Sequence, residues 1–124
     1  MQGLIALVLL AFAWSAAQAQ GLKPVPIVTG LDHPWALAFL PGGRMLVTEK
    51  PGRLRIVSAD GRAGAPLAGL PPVDAGGQCG LLDVAVDPEF ASNGLVYWTF
   101  AEPGDGGNST PVARGRLASG RLVE

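Results

Sequence analysis

The chain has 124 residues, enough for one domain, and its charges nearly cancel, with Lys+Arg 9 against Asp+Glu 10. A near-neutral chain without a basic run lacks the positive surface that nucleic acids or anionic membranes attract, so no nucleic-acid partner is expected. Its Gly 18 and Pro 11 are dispersed between short apolar runs, which is typical of short strands joined by many turns.

The first segment predicts export. An uncharged apolar run covers residues 4–14, and Ala17 and Ala19 follow it in the small-x-small pattern of a signal peptidase site. The run is much shorter than the roughly 20 apolar residues that span a bilayer, so no stable membrane anchor is expected. We predict a signal peptide over residues 1–19 and a periplasmic or secreted mature chain.

Three strands are expected next, over residues 35–40, 44–49 and 53–58. Each is followed by a turn signal: Pro41-Gly42-Gly43, Pro51-Gly52 or Asp60-Gly61. The third alternates charged and apolar residues, as a strand with one solvated face does. No stretch of the mature chain has a helical period, so no helix is predicted and the fold class is all-β.

The strand pattern then repeats over residues 81–86, 95–100 and 110–117, with residues 103–108 expected to be a flexible Gly-rich connection. Aligning Ala38 with Ala85, and Leu46 with Val96, gives a repeat of about 50 residues, which is typical of β-propeller blades.

A propeller closes its ring with about four to eight blades, and each blade buries its faces against its neighbours. About two blades are present here. We therefore expect residues 20–124 to be the N-terminal part of a truncated propeller, with the other blades in a missing C-terminal chain.

Three stretches carry a family resemblance: residues 31–50, which begin Leu31-Asp-His-Pro-Trp, residues 77–90, which begin Gly77-Gln-Cys-Gly-Leu-Leu, and residues 112–117. In order and spacing they resemble the quinone-dependent aldose sugar dehydrogenases, the glucose/sorbosone dehydrogenase family. The resemblance implies a six-bladed propeller that binds pyrroloquinoline quinone and calcium on its top face. It also implies oxidation of the anomeric hydroxyl of an aldose sugar to a lactone.

Gln78 is the candidate cofactor-binding residue, because it matches the family glutamine that lies beside the quinone and the sugar. A neutral amide donates and accepts hydrogen bonds without adding charge beside a redox centre. From the sequence alone, the favoured interpretation of Gln78 is a loop glutamine that bonds to backbone groups, and the resemblance reverses that preference. Cys79, the single cysteine, is expected to be a small buried residue that crowds this loop.

His33, the single histidine, is a tempting general base because its side chain titrates near neutrality. The resemblance places the family's base in a later blade, together with the calcium ligands and the cations that bind the quinone. No catalytic or metal-binding residue is therefore assigned in this chain, and the chain alone is expected to be inactive and to bind neither cofactor. His33 is expected to form a local hydrogen bond.

Four other residues are assigned to structure. Asp83 and Asp87 lie four apart in a strand and turn, so they are not expected to converge on a metal, while Trp35 and Trp98 are assigned to blade core. Two alternatives to the enzyme remain open: an exported propeller that only binds, since one scaffold hosts many functions, and a gene remnant without function.

Overall fold

The structure is a computed structural model that describes residues 21–123. The predicted signal peptide and its cleavage site lie outside this range. Ten strands follow in chain order: β1 (Pro34–Phe39), β2 (Met45–Glu49), β3 (Arg53–Val57), β4 (Ala63–Pro66), β5 (Leu81–Val86), β6 (Leu95–Phe100), β7 (Glu102–Gly104), β8 (Gly107–Ser109), β9 (Val112–Ala118) and β10 (Arg121–Val123). The all-β prediction is confirmed.

The strands form two four-stranded antiparallel sheets and one hairpin. Sheet 1 has the order β1-β2-β3-β4, and sheet 2 has the order β10-β9-β6-β5. Strands β7 and β8 pair only with each other. The sequence predicted three of the four strands of each sheet. It missed the outermost strands, β4 and β10, which are only 4 and 3 residues long.

The absence of helix was predicted wrongly. A one-turn helix, α1, covers Phe90–Asn93 between β5 and β6. The side chain of Asp87 accepts the Glu89 amide at its start, and Gly94 ends it in the left-handed conformation with φ 66°. Four residues are too few for an apolar period to show. Among the described residues, no helix is long and apolar enough to cross a bilayer.

The expected flexible connection over residues 103–108 is also wrong. This stretch contributes to the hairpin of β7 and β8, whose register pairs Glu102 with Ser109 and Gly104 with Gly107. Glycines at the tip give the turn its backbone freedom: Gly106 has φ 82°. The hairpin therefore has a defined geometry next to the candidate site.

The core lies between the two sheets. Sheet 1 contributes Leu46 and Leu54, and sheet 2 contributes Val96, Trp98 and Phe100; each is at most 4% exposed. The prediction that Trp98 is core is therefore confirmed. Alternate side chains along β6 are buried in this core, as one face of a strand requires.

The other face of sheet 1 is also apolar, and it is open along β1. Trp35, Leu37 and Phe39 are 59%, 53% and 72% exposed. The prediction that Trp35 is blade core is therefore wrong for the described residues. The apolar character of β1 on both faces explains the error, because such a strand does not reveal which face packs against sheet 2.

Candidate functional site

Gln78 lies at the end of the sheets where β1 and β5 begin and where β2 and β6 end. A tight turn precedes β5: the Cys79 amide donates to the Gly76 carbonyl over 2.9 Å. Gly77 has φ 52°, a conformation that L side chains rarely adopt, and a Cβ built there meets nothing within 4 Å. The turn therefore places Gln78 at an open tip.

The Gln78 side chain is exposed. Among the side-chain hydrogen bonds between residues 21–123, none involves its amide. No side-chain hydrogen bond in this part of the structure therefore supports the alternative that Gln78 is a loop residue bonded to backbone groups. An exposed neutral amide at the tip of a tight turn is free to bond to a ligand.

Lys50 holds one side of this turn from sheet 1. Its Nζ donates to the Gly77 carbonyl over 2.6 Å, and its own carbonyl accepts the Leu81 amide over 3.0 Å. Gly80 makes the close approach possible, because a Cβ on Gly80 would lie 2.7 Å from the Lys50 Cγ. The turn is thus joined to the neighbouring sheet by side chain and backbone.

Asp74 and Asn108 hold the other side. The Asp74 carboxylate accepts the Gly76 amide and the Asn108 Nδ2, each over 2.9 Å. These two donors stabilise the carboxylate, the Gly76 amide most, and together they hold the pKa of Asp74 below its usual range. Asn108 also lies 3.1 Å from the Cys79 Sγ. Cys79 is half-buried rather than fully buried as expected, and this contact ties it to the hairpin.

His33 lies at the same end of sheet 1, with its carbonyl accepting the Lys50 amide. Its Nδ1 bonds to the neighbouring Asp32 carboxylate, which confirms the predicted local hydrogen bond. Hydrogen bonds from His33 and then from Arg53 hold the pKa of Asp32 below its usual range. The His33 side chain is 77% exposed.

Arg53 links Asp32 to a buried carboxylate. Its Nε donates to Glu49, which is fully buried and also accepts from Arg55 and from the Asp32 amide. Burial opposes ionisation of Glu49, but these three donors outweigh it, so the pKa of Glu49 is lowered. The cluster of Asp32, Glu49, Arg53 and Arg55 attaches the segment before β1 to sheet 1, so we assign it a structural role.

Asp83 and Asp87 accept hydrogen bonds from separate sets of donors. Asp83 accepts the amide of its own neighbour, Val84. Asp87 accepts from Asn93, from the Glu89 amide and from the Tyr97 hydroxyl, which together lower its pKa. Within the described part of the chain, no three His, Cys, Asp or Glu side chains are placed to hold a metal ion.

Sequence reasoning proposed Gln78 but did not predict the residues that hold its turn. Lys50 closes the first of the three stretches that carry the family resemblance, and its Pro51-Gly52 neighbours suggested only a turn. Asn108 was assigned to a flexible loop. No local pattern joins positions 27 and 34 residues apart in the chain, so the fold was needed to bring them together.

Two curated proteins are similar to this chain. A protein of Synechocystis is 40% identical over 111 residues, covering 83% of this chain and 27% of the relative. Aldose sugar dehydrogenase YliI of Escherichia coli is 49% identical over 90 residues, covering 71% of this chain and 24% of the relative. The chain thus spans about a quarter of these curated relatives.

Solved structures of sugar dehydrogenases are also similar to this chain. A glucose dehydrogenase superposes with a TM-score of 0.73 at 50% identity, over 76% of this chain and 30% of that structure. The quinone-bound form of an aldose sugar dehydrogenase from Streptomyces coelicolor superposes with a TM-score of 0.64 at 30% identity, over 80% of this chain and 30% of that structure. Sheets 1 and 2 are two blades of a β-propeller.

The model of the Glucose / Sorbosone dehydrogenase family matches residues 31–124. The matched region includes both sheets, the Gln78 turn and the Lys50 and Asn108 side chains that hold it. The chain belongs to the glucose/sorbosone dehydrogenase family.

Proposed function

We propose that this chain supplies the first two blades, and one quinone-contacting residue, of an exported quinone-dependent aldose dehydrogenase. The observation that carries the proposal is the Gln78 turn. It presents an exposed, unbonded amide on a tip that is fixed by Lys50 on one side and by Asp74 and Asn108 on the other. The segment lies inside the region that the family model matches.

The residues present fit a flat quinone at this tip. Gly77 carries no side chain, and the space where a Cβ would project is open within 4 Å, so a planar ring can approach the backbone. Gln78 supplies a donor at its Nε2 and an acceptor at its Oε1. Pyrroloquinoline quinone, when bound, accepts the two electrons released at the sugar's anomeric carbon.

The reaction proposed for the complete enzyme converts an aldose to its lactone: the anomeric carbon loses a hydride, the anomeric hydroxyl loses a proton, and the C=O bond forms. In this reaction, the role of Gln78 is to bind and orient the cofactor and the sugar. Its Nε2 donates to a cofactor oxygen, and its Oε1 accepts from a sugar hydroxyl. We assign the proton-accepting base to a histidine of a later blade because the family resemblance places it there. His33, which bonds to the neighbouring Asp32, is given no catalytic role.

The calcium of the complete enzyme would bind outside this chain. The residues that this structure describes form no cluster of carboxylates around a common point, so they do not fit a calcium site. We place the calcium ligands and the cations for the quinone carboxylates in the part of the enzyme beyond this chain. By itself, the 124-residue chain is proposed to be inactive and to bind neither cofactor.

Export is part of the proposal. The uncharged run and the Ala17-x-Ala19 pattern support cleavage after Ala19 and a periplasmic or secreted product. N-terminal sequencing of the product from a bacterial host should begin at Gln20. An intact Met1 in a membrane fraction would contradict export.

The activity is tested in a hybrid enzyme, which joins residues 20–124 to the C-terminal remainder of the E. coli aldose sugar dehydrogenase. The hybrid should reduce a dye with glucose, quinone and calcium, and residues 20–124 alone should not. Gln78→Ala in the hybrid should lower kcat/KM about 10- to 100-fold, the loss expected when a buried polar partner is removed. His33→Ala is the control and should leave turnover unchanged; the reverse pattern would refute the roles assigned here.

A further inference from the structure

We propose that Lys50 is a positioning residue for Gln78: its ammonium group holds the Gly77 carbonyl and thereby fixes the turn that presents Gln78. This inference rests on the proposed function, because it assigns Lys50 to the same site. It concerns a residue of sheet 1 that acts on a turn belonging to sheet 2.

The contact is short and involves a charge. The Lys50 Nζ lies 2.6 Å from the Gly77 carbonyl oxygen, and hydrogen bonds from a charged donor are stronger than neutral ones. Gly77 directly precedes Gln78 in the chain. Fixing the Gly77 carbonyl therefore fixes the peptide plane from which the Gln78 backbone continues.

The lysine stem also lies close to the turn, at a position where only glycine fits. A Cβ on Gly80 would lie 2.7 Å from the Lys50 Cγ and 2.8 Å from the Lys50 carbonyl oxygen. The Leu81 amide donates to that same carbonyl. Lys50 therefore contacts the Gln78 turn and the start of β5 with its backbone, its stem and its ammonium group.

The blade architecture does not require a lysine here. In sheet 2 the residue that follows the second strand is Ala101, and its amide donates to the Gly80 carbonyl as the Lys50 amide donates to that of His33. The Ala101 side chain has no hydrogen-bond donor, and only its backbone bonds to the Gln78 segment, at Asp74 and Gly80. The same backbone position thus exists in both sheets, and only the one in sheet 1 carries a cation.

The opposite side of the turn is held independently. Asp74 accepts the Gly76 amide, and Asn108 bridges Asp74 to the Cys79 Sγ. Gln78 therefore lies between two anchored positions. Loss of the Lys50 bond should loosen the Gly77 side of the turn while the Asp74 side persists, so the site is misplaced rather than unfolded.

The test uses Lys50→Met in the hybrid enzyme, which keeps most of the stem and removes the donor, and Lys50→Arg, which restores a donor. Lys23→Met is the matched control, because Lys23 is exposed in the segment before β1. The first readout is deuterium exchange of residues 75–80 without quinone. The second is kcat/KM with glucose.

Lys50→Met should raise exchange across residues 75–80. It should also lower kcat/KM about tenfold, which is the loss expected when one charge-assisted hydrogen bond is removed. Lys50→Arg should recover most of both, and Lys23→Met should change neither. Unchanged exchange in Lys50→Met, or a loss that Lys50→Arg does not recover, would overturn the positioning role. A hybrid that holds its turn through Lys50 but oxidises no aldose would instead overturn the proposed function.

Discussion

Sheet 1 and sheet 2 have the same skeleton. The first strand of each is irregular at the same place: the register of β1 shifts between Pro34 and Leu37, and that of β5 shifts between Leu81 and Val84. In both sheets a threonine of the second strand bridges this bulge. The Ala36 amide donates to the Thr48 Oγ1, and the Asp83 amide donates to the Thr99 Oγ1, each over 3.0 Å.

The two threonines differ in what lies beyond them. Thr48 is fully buried, and its hydroxyl also donates to the Leu82 carbonyl of sheet 2 over 2.8 Å. Thr99 lies on the face of sheet 2 that points away from sheet 1 and is half-buried. Thr48 therefore belongs to the junction between sheets 1 and 2, whereas Thr99 lies on the surface where a third blade would pack.

The face of sheet 1 that packs against sheet 2 and the equivalent face of sheet 2 also differ in burial. Leu46 and Leu54 of sheet 1 are fully buried against sheet 2. The corresponding surface of sheet 2 includes Val112, which is 70% exposed, and the exposed Arg114. One blade junction is therefore fully formed here. The surface for the next junction has the same backbone bulge but different side chains.

The largest expected effect tests the formed junction. Leu46→Ala in the hybrid enzyme should lower the free energy of unfolding by about 2–5 kcal/mol, because it leaves a cavity in a fully buried site. Leu22→Ala is the matched control, since Leu22 is 98% exposed, and should cost almost nothing. Denaturant unfolding gives both values. Equal costs for the two variants would mean that the sheets do not pack as described.

A smaller effect compares the threonines directly. Thr48→Val should cost about 1–3 kcal/mol, because it leaves the partly buried Ala36 amide and Leu82 carbonyl without the Thr48 hydroxyl. In the hybrid enzyme Thr99→Val should cost a similar amount, since a third blade is expected to bury Thr99 as sheet 2 buries Thr48. A Thr99→Val cost near zero, measured in the same unfolding experiment, would show that the second junction is built differently.

The repeat itself could be predicted from the sequence, but its exact register could not. Aligning Leu46 with Val96 was wrong by one residue: Leu46 pairs with Ala38, and the equivalent partner of Ala85 is Tyr97. A shift of one residue exchanges the two faces of a strand. The run Leu95–Phe100 is largely apolar on both faces, so its alternation does not show which residues face sheet 1.

The candidate site, too, could be predicted from the sequence only in part. A family motif was enough to propose Gln78 as a candidate, because the motif is local and contiguous. Lys50 and Asn108 reach the turn across 27 and 34 positions, and their contacts depend on how the second strand of sheet 1 and the β7–β8 hairpin are placed. Long-range contacts of this kind follow from packing, which a sequence pattern does not encode locally.

The smallest expected effect concerns pH and distinguishes the two sides of the Gln78 turn. The pKa of Asp74 is lowered in the folded chain from its ordinary value of 3.8, chiefly by the Gly76 amide and then by Asn108. A lowered pKa means that the carboxylate's stabilising contribution is complete above the unfolded value and is lost as pH falls through the folded value. The Asp74 side of the turn should therefore hold at neutral pH and loosen only below about pH 3.8.

The measurement is a titration of the Gly76 backbone amide and the Asn108 side-chain amide by NMR in the hybrid enzyme without quinone. Both signals should shift together below about pH 3.8 and remain constant from there to neutrality. Asp74→Asn is the control, because it removes the titrating group and should abolish the shared transition. Lys50→Met should leave the transition in place, since Lys50 holds the opposite side of the turn through Gly77. A transition that survives Asp74→Asn would assign the titration to another group and separate Asn108 from the turn.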